Sequence, residues 1–394
     1  MKSLSRILCR AVLFLAFSLV CSCTSEKKSG IPTAIDITEA EKRDVKSLVS
    51  DLKIIELEYK SDSPLGFLRD FRIVNDRIYC FDIERGGAVL VFTLEGRFLF
   101  KIHSVGQAKN EWISLSSMFV NGKEKTIYLT DRMTRKVLCY DLDGKFLKSY
   151  DLNGCPTGEV GGYGGHLYAV TSPAYSDFKL DDRTRFKLEV FSEDVQKEKA
   201  MVNVKANDIC LPQSSYSQLR FTADNDLLLV PICDDTVYGV ENGEARPYVQ
   251  FSGTAGLSFM TDEELTERSA KRNFAMDKEK VFWGNGFVDD NRLVYRRIDG
   301  FSATDVLYDK KGQKTILTHF SDISQASKHF NPDVLYVAPY CSYDGRYYAN
   351  LELFCLGAPD EYVQDYMPEE LKPYARKYKE GKLNGLIVTY KIDF

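Results

Sequence analysis

Two stretches of the chain carry the same pattern. Arg77 to Ile102 reads RIYCFDIERGGAVLVFTLEGRFLFKI, and Thr126 to Leu152 reads TIYLTDRMTRKVLCYDLDGKFLKSYDL. Aligned on Ile78/Ile127, Tyr79/Tyr128 and Asp82/Asp131 the offset is 49 residues, and on Phe92/Tyr140, Gly96/Gly144 and Phe98/Phe146 it is 48, so one residue is dropped between them. Each unit reads as short apolar strands separated by turn residues, with glycine at Gly96 and Gly144 where a tight turn needs positive φ. A period near 50 built only of strands and turns predicts the blade of a β-propeller.

Weaker copies follow. Taking Tyr79, Tyr128, Tyr168, Leu228, Tyr295 and Tyr348 as equivalent markers gives spacings of 49, 40, 60, 67 and 53. This predicts an all-β, six-bladed propeller over residues 46–394, with five or seven blades as the alternatives. A ring of blades must be closed by strands from both chain ends, which removes exposed sheet edges. Asp51–Tyr59 and Leu386–Ile392 are the candidates. Two short helical insertions are expected: one opened by the capping box Thr261-Asp262-Glu263-Glu264 and running toward Ala275, the other led by Pro368 and reaching about Glu380. Both are charged enough to be solvated decoration, and both could serve as a lid over the channel.

The N-terminus is an address. Lys2, Arg6 and Arg10 form a positive n-region at the start of an apolar stretch, Ile7 to Val20, too short to span a bilayer comfortably. It ends Val20-Cys21-Ser22-Cys23, which resembles a bacterial lipobox. The expectation is a signal peptide over 1–22, lipidation at Cys23, and a polar tether over 23–45; an ordinary signal peptide cut near Ser22 is the alternative. Removal of residues 1–22 takes the formal net charge from −5 to −8. An acidic chain without a Lys/Arg cluster argues against nucleic acid, so the acyl chains would make the membrane connection. Seven cysteines remain beyond Cys23, an odd number without CxxC spacing, and they read as small buried hydrophobes.

With the blades laid out, the chain resembles the six-bladed β-propeller lipoproteins of the Bacteroidetes, related to NHL-repeat propellers. The paired units at Ile78–Leu99 and Ile127–Leu147 carry the resemblance, together with Asp234–Phe251 and the closing LIVTYKI. It implies a lipid-anchored envelope protein at the outer membrane. Surface-exported relatives tend to carry an acidic run after the lipidated cysteine. Because Glu26 is followed here by Lys27 and Lys28, the periplasmic side is expected, with surface exposure as the alternative. Relatives carry a Gly-Pro-Gly-Glu-aromatic loop between the first two blades. Here that loop reads Gly106-Gln107-Ala108-Lys109-Asn110-Glu111-Trp112, keeping Glu111 and Trp112.

Searches for catalytic motifs return little. The four histidines form no HExxH, and no GxSxG elbow occurs. Gly161-Gly162-Tyr163-Gly164-Gly165 lacks the lysine and following helix of a phosphate loop and reads as a turn. The pairs Asp181-Asp182, Asp234-Asp235 and Asp289-Asp290 read as turns rather than calcium sites, because one carboxylate pair seldom completes a six- to eight-oxygen shell. The best-placed candidates lie at the ends of second strands: Asp82 and Asp131, followed by Arg85, Arg132 and Arg135. Glu111 and Trp112, in the interblade loop, open on the same face. There a charged mouth with an aromatic wall would form a ligand site, unless the two aspartates merely cap their turns. The leading expectation is a monomeric, non-catalytic binding or scaffolding lipoprotein for a glycan, peptide or protein partner, with no resident cofactor or metal. The alternative is a calcium-dependent lactonase-like or lyase-like enzyme at the channel mouth.

Overall fold

The computed structural model describes residues 34–394, apart from 85–86, 153–156, 172–185, 204–216, 223–224, 232–233, 253–281, 300–301, 322–333, 352, 358, 360–362, 364 and 366. Its strands form six sheets, the blades of a propeller, each built on four antiparallel strands. Blade one is Leu68–Val74, Arg77–Asp82, Ala88–Thr93 and Phe98–Ile102. Blade two is Leu115–Asn121, Thr126–Asp131, Lys136–Asp141 and Phe146–Asp151, so the duplicated sequence unit folds as two successive blades. Blade three is Thr157–Tyr163, His166–Thr171, Phe186–Ser192 and Lys197–Asn203. Blades four and five begin at Leu219–Phe221 and Phe282–Val288, and blade six at Cys341–Tyr343.

Closure follows the expected plan. Blade six continues through Arg346–Leu351 to Gly385–Ile392, and this last strand pairs antiparallel with Val49–Leu57 from the other end of the chain. The segment before it is not tether throughout. Ala34–Asp36 pairs parallel to the outer strand of blade four, and Glu41–Lys42 to that of blade five. Residues 34–45, expected as the end of a 23–45 linker, therefore belong in part to the propeller. The physical reason is that each blade offers an unpaired outer edge, and Ala34–Asp36 meets it with the alternation of an edge strand, Ile35 buried between two exposed neighbours.

The core lies between the blades. Alternate residues of each second strand point to opposite neighbours, as the two-residue period requires. Tyr79 and Phe81 pack with blade two, whereas Ile78 and Cys80 pack with blade six. Tyrosines also staple blade to blade: Tyr79 Oη donates to Leu142 O at 3.0 Å, and Gly243 N donates to Tyr168 Oη at 3.1 Å. The fifth marker needs correction. Tyr295 faces blade four, donating to Asp234 O at 2.5 Å and stacking on Phe251, and Val294 holds the place of Tyr79. Asn75-Asp76 and Asp344-Gly345 are two-residue hairpin turns with positive φ at both positions, as expected for primed turns. Gly96 and Gly144 have φ of 85° and 81°. Gly164 and Gly165 turn the first hairpin of blade three at φ 60° and 79°, while Gly161 and Gly162 sit where a Cβ would run into Phe119 and Tyr128 of blade two.

Of the two insertions, the second is a helix, Lys372–Lys379, with a proline in its first turn. The capping box at Thr261 lies outside the described residues. No helix among the described residues is long and apolar enough to cross a membrane.

Candidate functional site

The loops joining second to third strands, and those joining blades, emerge on one face; the turns joining first to second strands emerge on the other. Asp82 and Asp131 stand on the first of these faces, and their partners explain why they recur. Asp82 accepts from Gly66 N (2.8 Å), Phe67 N (3.0 Å) and Glu84 N (2.9 Å). Asp131 accepts from Ile113 N (2.8 Å), Ser114 N (3.1 Å), Met133 N (3.0 Å) and Thr134 Oγ1 (2.7 Å). Each carboxylate thus ties the loop entering its blade to its own second turn, and both are buried.

Of the other candidates, Trp112 and Glu111 do not converge with them. Trp112 is no wall of an open mouth. Its side chain is fully buried between blades one and two, with Nε1 donating to Gly87 O at 3.3 Å. The interblade loop places it so, because a large apolar ring gains more from burial than from lining a wet surface. Glu111 folds back within its loop, accepting from Ala108 N at 2.8 Å against Gly106. Arg132 and Arg135 are exposed in the second turn of blade two, and Arg85 lies outside the described residues.

A cavity of about 480 Å³ lies on the opposite side, reaching from the first-turn residues Asn75, Lys123, Asn225, Asn291 and Asp344 toward the axis. Its innermost ring follows from strand register. Counting two residues back from the last hydrogen-bonded pair of each first hairpin gives Arg72, Phe119, Gly161, Arg220, Phe287 and Cys341 for blades one to six. All but Gly161 line the cavity. Their cross-strand partners (Tyr79, Tyr128, Tyr168, Leu228, Val294 and Tyr348) include the marker residues of the repeat. The ring therefore reads arginine, phenylalanine, small residue, and then the same series again. Blades one and four stand opposite in a ring of six, and both contribute arginine.

Elementary electrostatics make these arginines costly. Arg72 is held by Asp70, Nη1 to Oδ1 at 2.6 Å, and also donates to Phe71 O at 2.7 Å. Its Nη2 is buried without a hydrogen-bond partner among the described residues. Arg220 is only 4% exposed, and burial together with the like charge of Arg72 pulls its guanidinium down to about 10. The Cys341 thiol is pushed up to about 12 by burial, which keeps it protonated.

Glu159 of blade three underlies the ring. It accepts from Gln218 N at 2.7 Å, from Leu219 N at 3.3 Å and from Ser217 Oγ, tying blade three to blade four. Burial raises its carboxyl above the ordinary 4.5 against the pull of those donors. Folding then takes up a proton at pH values above 4.5, so this group's contribution makes stability fall as pH rises from 4.5 through the raised value. Glu159→Gln is expected to flatten that slope, read as the urea midpoint against pH; an unchanged slope counts against the assignment.

Sequence reasoning passed over Arg72 and Arg220 because each is one charge in a short strand of mixed character, Arg72 beside Arg69 and Asp70 and Arg220 between Leu219 and Phe221. Aligning the first strands on their hairpin turns would have exposed the ring. Among the described residues no three His, Cys, Asp or Glu side chains come together as a metal site. Asp289 caps its own turn, accepting from Asn291 N and Arg292 N, and Asp234 pairs with Lys187 at 3.8 Å; Asp181-Asp182 lies outside the described residues.

The chain matches the family described as Domain of unknown function (DUF4934) over residues 31–391, and it belongs to that family. A similar solved structure is a protein assigned as exported from Bacteroides fragilis. It superposes with a TM-score of 0.69 at 19% identity, over 92% of this chain and 99% of that one. A member of the DUF4221 family from Bacteroides vulgatus superposes at 0.52 with 9% identity, over 88% and 97%. At these identities the likeness concerns the fold. No curated protein sequence matches the chain.

Proposed function

Starting from membership in a family of undefined function, we propose that this protein is an exported, non-catalytic binding protein that takes its ligand into the propeller channel from the face of the first turns. The carrying observation is the 480 Å³ cavity, within the roughly 300–1,000 Å³ of small-molecule sites, with arginines and aromatic rings at its floor and asparagines at its rim. A glycan or peptide fragment is the class of ligand that such a lining accommodates. Calcium-dependent chemistry needs carboxylates around the axis, and this ring presents guanidinium groups instead. We further propose that acyl chains on Cys23 hold the protein at the outer membrane on its periplasmic side, as a monomer. The resemblance of residues 20–23 to a lipobox supports that reading, and the exported relative is consistent with it.

The test is native mass spectrometry of the mature chain incubated with oligosaccharide and peptide fragment libraries. Ser342→Trp, which plugs the cavity wall, is expected to abolish retention, while Met133→Glu, on the opposite face, leaves it intact. The converse result overturns the channel reading and restores the other face.

A further inference from the structure

We infer that the cavity floor is a carboxylate clamp, in which Arg72 and Arg220 reach an acidic group of the ligand from opposite blades, between the rings of Phe119 and Phe287. The inference rests on the channel reading and specifies its chemistry. Two observations carry it. The first is placement: the register puts an arginine at the same ring position of blades one and four and a phenylalanine at that position of blades two and five, and all four line one cavity. The second is an unmet need. Burying a guanidinium costs free energy unless its donors find acceptors. Arg72 spends Nη1 on Asp70 and Phe71 O, and its buried Nη2 has no acceptor among the described residues.

The nearby acids do not meet that need. Asp70 is engaged by Arg72 and by Phe71 N at 2.8 Å, and Glu159 is turned to the backbone of blade four. Two like charges brought near each other in a poorly solvated ring repel; Asp70 counters one of them, and a bound anion would counter the other. A carboxylate suits the floor better than a phosphate. A phosphate has more oxygens to satisfy than a carboxylate, and Arg72 has already given Nη1 to Asp70 and to Phe71 O. The flanking rings in turn require a carbon skeleton behind the acid, with apolar faces to lie against. The ligand is therefore a small organic acid, or an acidic residue or sugar unit within a larger chain.

The experiment uses the mature chain at constant ionic strength. Thermal shift and calorimetry are run with benzoate and glucuronate, with benzamide and glucose as neutral counterparts, and with inorganic phosphate. The carboxylates are expected to raise Tm in a dose-dependent way, with little response to the neutral compounds or to phosphate. Arg72→Gln should weaken carboxylate binding at least tenfold, and Arg72→Lys, which keeps the charge and loses the planar fork, by less. Arg220→Gln should match Arg72→Gln; if it fails to fold, the Arg72 pair decides alone. A flat response to both carboxylates, an equal response to neutral compounds or phosphate, or binding unchanged in Arg72→Gln overturns the clamp. Binding that Ser342→Trp abolishes but charge does not affect sinks the clamp and leaves the channel site standing. Carboxylate binding that survives Ser342→Trp sinks the channel site itself.

Discussion

Trp112→Ala is expected to lower the stability of the folded chain by about 3–5 kcal/mol, the range for truncating a fully buried large aromatic side chain. The indole belongs to the buried cluster that includes Val89, Val91, Leu115 and Leu129, at the seam of the two blades that the sequence repeats most clearly. Its loss opens a cavity there and strands the Gly87 carbonyl that Nε1 reaches. The measurement is chemical denaturation followed by circular dichroism. The fraction that remains folded should bind ligand as the parent does, because Trp112 lines no part of the channel cavity. A loss of binding with unchanged stability would return Trp112 to the role of a surface contact.

Asp131→Ala should cost about 3 kcal/mol or more, and Asp131→Asn roughly half as much. Hydrogen bonds to a charged acceptor are worth about 1.5–3 kcal/mol each, and a buried donor left without its acceptor adds a penalty. Alanine releases four donors at once, in the loop from Ile113 and in the turn to Thr134; the amide of asparagine keeps one acceptor oxygen. Urea midpoints of the two variants, compared with the parent, decide it. Equal and small effects would mean that the loop is held by other contacts, and would reopen Asp131 to a ligand.

These two residues show what was legible in the sequence and what was not. The hydrophobic alternation and turn glycines gave the blades, because both are local properties that a repeat must keep. The recurrence of Asp82 and Asp131 was visible too, but recurrence in a repeat signals a structural need shared by blades, and the hydrogen bonds bear that out. Whether Trp112 faces inward depends on how its loop crosses the seam, which no residue pattern encodes. Tyr295 was misaligned by one because the first turn of blade five is set by Asp289 and Arg292, and a shift of one residue sends a side chain to the other neighbour. The arginine ring was hidden for a different reason. Its members belong to separate blades and meet only because the sheet register brings them to one level.

The N-terminal segment, laid in order along blades four, five and six, has a mechanical consequence. Tension applied ahead of Ala34 is first borne by three paired residues on blade four, then by two on blade five, and only afterwards by the long strand Val49–Leu57 that shuts the ring. The two short pairings are sacrificial links. They can give way and re-form while the ring stays closed, much as a crumple zone spares a frame. Single-molecule pulling from that end should show two weak ruptures before the large one that opens blade six, and a single abrupt opening would contradict it.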